Sequence, residues 1–104
     1  MAAALLAEGE MVELMVVGKV FGREGVSVLT DKRLLVVNEN ELQPFVQEFE
    51  VAEPLSVQGW EEGRTASLIF TEGETLTRMD AIVDTALAKE MAGRIRARTG
   101  TPTA

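Results

Sequence analysis

The apolar residues of this chain keep one period for most of its length and then change to another. Val12, Leu14, Val16 and Val20 fall at every second position, with Glu13 and Lys19 on the opposite side. Phe45, Phe49 and Val51 repeat the pattern, as do Leu55 and Val57, and then Ala66, Leu68 and Phe70. Alternation of this kind is the mark of half-buried β-strands. From about residue 81 the spacing becomes three and four: Val83, Leu87, Met91 and Ile95, with Ala88 and Ala92 alongside, make one stripe of an amphipathic helix. A succession of short strands must roll up or pack on itself to bury its apolar face and hide its edges. Strands first and a single helix last therefore predict a mainly β fold with one α-helix: a seven-stranded antiparallel barrel capped by the C-terminal helix.

Turn residues divide the strands. Glu8-Gly9-Glu10 precedes a first strand starting at Met11, in which Gly18 marks a bulge. Gly22-Arg23-Glu24-Gly25 is the next turn, with a glycine at each end. Val26, Val28 and Leu29 then face Leu34 to Val37 across the break Thr30-Asp31-Lys32-Arg33, a tight hairpin in which the Asp31 side chain can bond back to the turn backbone. A polar loop at 38–41, Pro54, Glu61-Glu62-Gly63-Arg64 and Glu72-Gly73-Glu74 mark the remaining breaks. The expected layout is one domain over 1–104, with strands over about 11–79, a helix over about 81–98 and a frayed tail at 99–104. Asp80 or Asp84 can cap the helix, Arg94, Arg96 and Arg98 suit its negative end, and Gly100 can stop it. An OB-type barrel is the rival fold, but its helix lies between strands, whereas the helical period here comes only at the end.

Composition narrows the function. The 104 residues contain no histidine, cysteine or tyrosine. Without histidine or cysteine there are no disulfides, no thiolate metal sites and none of the common nucleophile–base pairs. An enzyme would have to work with Asp, Glu and Lys, and a zinc site with carboxylates alone, so we expect no catalytic residues, no metal and no cofactor. The net charge is −7 and is unevenly spread: −2 over 1–40, −7 over 41–80 and +2 over 81–104. An acidic chain with one Trp and four Phe lacks both the field and the stacking surface for general nucleic-acid binding. The opening MAAALLA is too short and lacks the positive flank of a signal peptide or membrane span, and a cytoplasmic protein is expected.

The hairpin GVSVLTDKRLLVVN resembles the "glivlTdkRllfv" hairpin of bacterial pleckstrin homology (PH)-like proteins of the YokE and SHOCT-associated kind. The Glu8-Gly9-Glu10 region matches their "GE" before strand one, and Leu55 and Val57 match a later aliphatic segment, so the likeness runs from about Leu6 to Arg98. It implies a PH-like barrel and a non-enzymatic module that binds or assembles. In eukaryotic PH domains the lipid-binding basic residues stand between strands one and two. Lys19 and Arg23 fall there, but Val26, Ser27 and Val28 follow where further basic residues would be needed.

Two uses of the surface stay open. The first is contact with a protein partner or self-association, through an exposed strand edge or the groove beside the terminal helix, with Trp60 as a candidate anchor. The second is peripheral binding of an anionic headgroup or other anionic ligand by a weak patch of Lys19, Arg23, Lys32 and Arg33. Each has a plainer explanation. Lys32 and Arg33 suit an exposed turn, Arg33 can pair a carboxylate, the helix arginines complement the dipole, and Trp60 can belong to the core. The acid pairs Glu48/Glu50, Glu61-Glu62 and Glu72/Glu74 lack calcium-loop spacing and suit solvated faces and turns.

Overall fold

A computed structural model describes residues 7–38, 45–52 and 54–100. The polar loop expected at 38–41, apart from Asn38, and the tail at 101–104 lie outside those residues, as does most of the apolar start. Seven strands come first: β1 (Val12–Val20), β2 (Arg23–Thr30), β3 (Arg33–Asn38), β4 (Phe45–Glu50), β5 (Ser56–Glu62), β6 (Thr65–Glu72) and β7 (Thr75–Ile82). One helix, α1 (Thr85–Thr99), follows. All strands belong to one antiparallel sheet in the order β4-β3-β2-β1-β7-β6-β5, consistent with the expected PH-like barrel.

The sheet rolls up at β1. Gly18 and Gly25 are direct partners across β1 and β2. A side chain at Gly18 would lie 2.6 Å from the Asp80 carbonyl oxygen, and one at Gly25 would lie 2.7 Å from that of Val37. The bare Gly18 thus lets β7 come down against β1, where Lys19 pairs with Asp80 and Val20 with Met79, and the bare Gly25 lets β3 lie close against β2. Gly18 is therefore a point of close approach and not the expected bulge; the register shift in β1 lies between Val12 and Leu14. The first turn is also shorter than expected. It is Phe21-Gly22, both at positive φ (52° and 76°), as a two-residue hairpin requires, and Arg23 to Gly25 already belong to β2.

Inside the roll, Val16, Leu29, Leu34, Phe49, Leu55, Val57, Leu68, Phe70 and Met79 form one core. β4 and β5 end the strand order, so the roll is sealed there by side chains, with Phe49 and Phe70 rings 6.3 Å apart. The open end is plugged by α1, which packs on β5, β1 and β6. Its buried face is Ala88, Met91, Ala92, Ile95 and Thr99, with Leu87 half-buried. Asp84 caps it by accepting from the Leu87 N–H, and Gly100 ends it at φ 74°. The helix begins later than the spacing suggests. Ala81 and Ile82 still belong to β7, and Val83, expected in the stripe, is 80% exposed.

Gly93 sits inside this helix with open space where a side chain would go. Gly93→Ala is expected to stabilise the protein by about 1 kcal/mol through helix propensity alone, visible as a higher urea midpoint at unchanged m-value.

Candidate functional site

The four basic residues of the expected anionic-ligand patch do not converge. Lys19 and Arg23 flank the β1–β2 turn, whereas Lys32 and Arg33 stand at the other end of β2, about 23 Å away along an eight-residue strand. Lys19 is paired with Glu24 at 3.1 Å. Arg33 is tied to two carboxylates. Its Nε and Nη2 donate to the two oxygens of Glu10, each at 2.9 Å, and its Nη1 donates to Glu48. Glu10 also accepts from the Thr30 hydroxyl at 2.6 Å and the Ala7 N–H at 2.8 Å. Thr30 in turn accepts from the N–H groups of Lys32 and Arg33, closing the hairpin turn. The turn role expected of Asp31 falls to Thr30, while Asp31 accepts from the Met11 N–H at 2.9 Å.

This network fastens the start of β1 to the β2–β3 hairpin. The Arg33 guanidinium, then the Thr30 hydroxyl and the Ala7 N–H, hold the Glu10 carboxyl at about 2 instead of 4.5, against the opposing effect of burial. Bonds to Glu10, and then to Glu48, in turn raise Arg33 above its ordinary value. A carboxylate lowered on folding contributes stability that is complete above about pH 4.5 and is lost as pH falls through about 2. Glu10→Gln is therefore expected to flatten the stability–pH curve across that interval, measured by urea titration at successive pH values.

The helix arginines also reach specific partners. Arg98 donates to the Thr30 carbonyl at 2.6 Å and the Asp31 carbonyl at 3.1 Å, and Arg94 pairs with Glu90 at 2.9 Å and Glu13 at 3.6 Å. Arg96 donates to the Val57 carbonyl at 3.0 Å. They bind α1 to the sheet as well as facing its negative end.

The arrangement best suited to binding lies where α1 meets β5. β5 and β6 are joined by the two-residue turn Gly63-Arg64, and Glu62 pairs with Thr65 beside it. Such a flanking pair exchanges both ladder bonds, and the pattern alternates from there along the strand. Gln58, Trp60 and Glu62 thus bond to β6, while Val57, Gly59 and Glu61 turn their N–H and C=O groups away from it, to the side where no described strand pairs with β5. The bond from Arg96 to the Val57 carbonyl fits that assignment.

Next to this edge is a hollow of about 190 Å³ lined by Gly59, Leu68, Ala88, Ala92 and Arg96. It exists because Gly59 on the strand and Ala88 and Ala92 on the helix are small. Lys89 and Glu61, 2.8 Å apart, bridge its mouth, and Glu61 raises the Lys89 ammonium above its usual value.

Trp60 also borders the hollow but lies on the outer face of β5, across from Ser67, whereas its neighbour Gly59 pairs with the core residue Leu68. Trp60 is half-buried beneath Arg78, whose guanidinium carbon lies 5.0 Å from the ring centre. Arg78 is held by Asp80 at 2.7 Å, and Asp80 accepts from Ser67 at 2.9 Å. Of the two positions left open for Trp60, partner anchor or core, the core one is not found: the ring is half-buried on the outer face of the edge strand.

Sequence reasoning placed Ala88 and Ala92 on the helix stripe but had no signal for the hollow they share with Gly59. No helix among the described residues is long and apolar enough to cross a membrane. Comparison with family models, with curated proteins and with solved structures gives no match to this chain.

Proposed function

We propose that the chain is a non-enzymatic, cytoplasmic module of the bacterial PH-like type that binds a protein partner by adding an extended segment to the free edge of β5. The observation that carries this is the pair of residues with outward-facing backbone groups, Gly59 and Glu61, beside a hollow under α1, next to the Val57 carbonyl that Arg96 already holds. Main-chain bonds to an edge strand supply affinity without demanding a particular sequence, and a neighbouring hollow selects one side chain. At about 190 Å³ the hollow suits one small or medium apolar side chain of the partner. Trp60, half-buried beneath Arg78, stands on the outer side of the same edge, beside the path of the flanking residues. Lys19, Arg23, Lys32 and Arg33 enter this proposal only as surface and structural charges, because they lie at two ends of β2.

The test is selection of extended peptides from a random display library on the immobilised full chain, followed by titration against Glu61→Pro. Proline removes the outward N–H of Glu61 and leaves the β5–β6 ladder intact. Selected peptides are expected to lose at least about tenfold in affinity, the equivalent of one good hydrogen bond and its register. Peptides that bind equally well to Glu61→Pro, or whose chemical-shift footprint falls on β2 and β3, would exclude the β5 edge.

A further inference from the structure

The β5 edge differs in chemistry at its two ends. At the Glu61 end the charge is matched, since Lys89 on α1 lies 2.8 Å from the carboxylate. At the Val57 end stands Arg96, whose Nη2 donates to the Val57 carbonyl at 3.0 Å and whose side chain lines the hollow. Val57 and Glu61 lie about 13 Å apart along β5, and Arg96 and Lys89 about 10 Å apart along α1, so the two contacts mark opposite ends of one site.

Arg96 is unlike the other arginines. Arg33, Arg78, Arg94 and Arg98 all pair with carboxylates. Arg96 pairs with none among the described residues although it is half-buried, whereas Arg23 and Arg64, which also lack an acid, are exposed. A bond to one carbonyl uses one of the five guanidinium donors. Beside the apolar walls of Leu68, Ala88 and Ala92, that guanidinium attracts a carboxylate more strongly than it would in open water.

We infer that the segment docking on β5 is the free C-terminus of another chain, with its terminal carboxylate on Arg96 and its last side chain, small and apolar, in the hollow. The inference rests on the β5 docking proposed above and names what the partner must carry. The Val57 carbonyl is already bonded to Arg96, so a strand running past Val57 has to displace the guanidinium, whereas a segment that stops there does not. The Val57 N–H turns to the same side and is a second donor in that corner. Direction agrees as well. β5 runs from Ser56 to Glu62, so a segment ending at Val57 with its earlier residues beside Gly59 and Glu61 is antiparallel, like every strand pairing among the described residues. The reverse orientation would set a carboxylate against Glu61.

Two random peptide libraries, one displayed with free C-termini and one with the C-terminus fused onward to a carrier, are panned on the full chain. Enrichment is expected from the first. The strongest peptide is then made as the acid and as the C-terminal amide, and both are titrated against the protein, Arg96→Gln and Arg96→Lys. The amide should bind the unaltered protein about tenfold more weakly than the acid. On Arg96→Gln the acid should fall to the affinity of the amide, and on Arg96→Lys, which keeps the charge, part of the gap should return.

Equal affinity of acid and amide for the unaltered protein would overturn the inference, and that comparison holds whether or not the variants fold. A gap that persists in Arg96→Gln would overturn it too, as would fused-library peptides that engage Arg96 through an internal Asp or Glu. Should such peptides still weaken on Glu61→Pro, the β5 edge stands and only the terminus is lost. Binding indifferent to Glu61→Pro removes both.

Discussion

Gly18→Val is expected to abolish the folded state or to cost about 4–5 kcal/mol, the upper end of single-substitution effects. The first carbon of any side chain at Gly18 would stand 2.6 Å from the Asp80 carbonyl oxygen and 2.9 Å from the Ile82 side chain. The carbonyl cannot retreat without separating β7 from β1, and these strands are joined by only the pairs at Lys19 and Val20. Even Gly18→Ala should cost about 3 kcal/mol, because the contact is already made by Cβ. Urea unfolding followed by circular dichroism measures both. The glycine in α1 provides the contrast, since the same change at Gly93 meets nothing and should stabilise.

Ile95→Asp is expected to have an effect of similar size, about 4–5 kcal/mol, by placing a carboxylate at a fully buried position facing the rolled sheet. Ile95→Val, which removes one methylene from the same place, should cost only about 1 kcal/mol. The ratio is informative: a helix that merely lay on the surface would tolerate both changes. Thermal melts of the two variants, with far-UV spectra to show whether α1 or the whole fold is lost, settle which element depends on Ile95.

Much of this architecture was legible because period is a local property. Alternation at Val12 to Val20 and Ala66 to Phe70 needs no knowledge of partners, and the change of spacing at Leu87, Met91 and Ile95 announces the helix. Asp84 and Gly100 work as caps for reasons of chemistry that act within a few residues. The errors arose where the signal depends on the third dimension. Val83 fits the helical spacing, but a positive φ of 54° at Ala81 and the extension of β7 to Ile82 place it outside the helix. Gly18 in a strand suggests a bulge equally well as a close approach, and only the position of Asp80 distinguishes them.

The candidate site was less legible still. Arg33 was recognisable as a structural residue, yet its main partner, Glu10, lies 23 positions away. The free backbone groups of Gly59 and Glu61 leave no trace in composition at all. One signal was present and unused. Leu34-Leu35-Val36-Val37 is apolar without alternation, and an unbroken run in a strand means that both faces are covered.

The claim on which the functional account rests is that β5, whose Val57 carbonyl is held by Arg96, presents the backbone groups of Gly59 and Glu61 to an edge that no described strand pairs. Amide hydrogen exchange of the free protein, resolved residue by residue, tests it directly. Val57, Gly59 and Glu61 should exchange fast, and Gln58, Trp60 and Glu62 should exchange slowly. Uniform protection along β5 would mean that the edge is already paired, and the account of partner binding would fail with it.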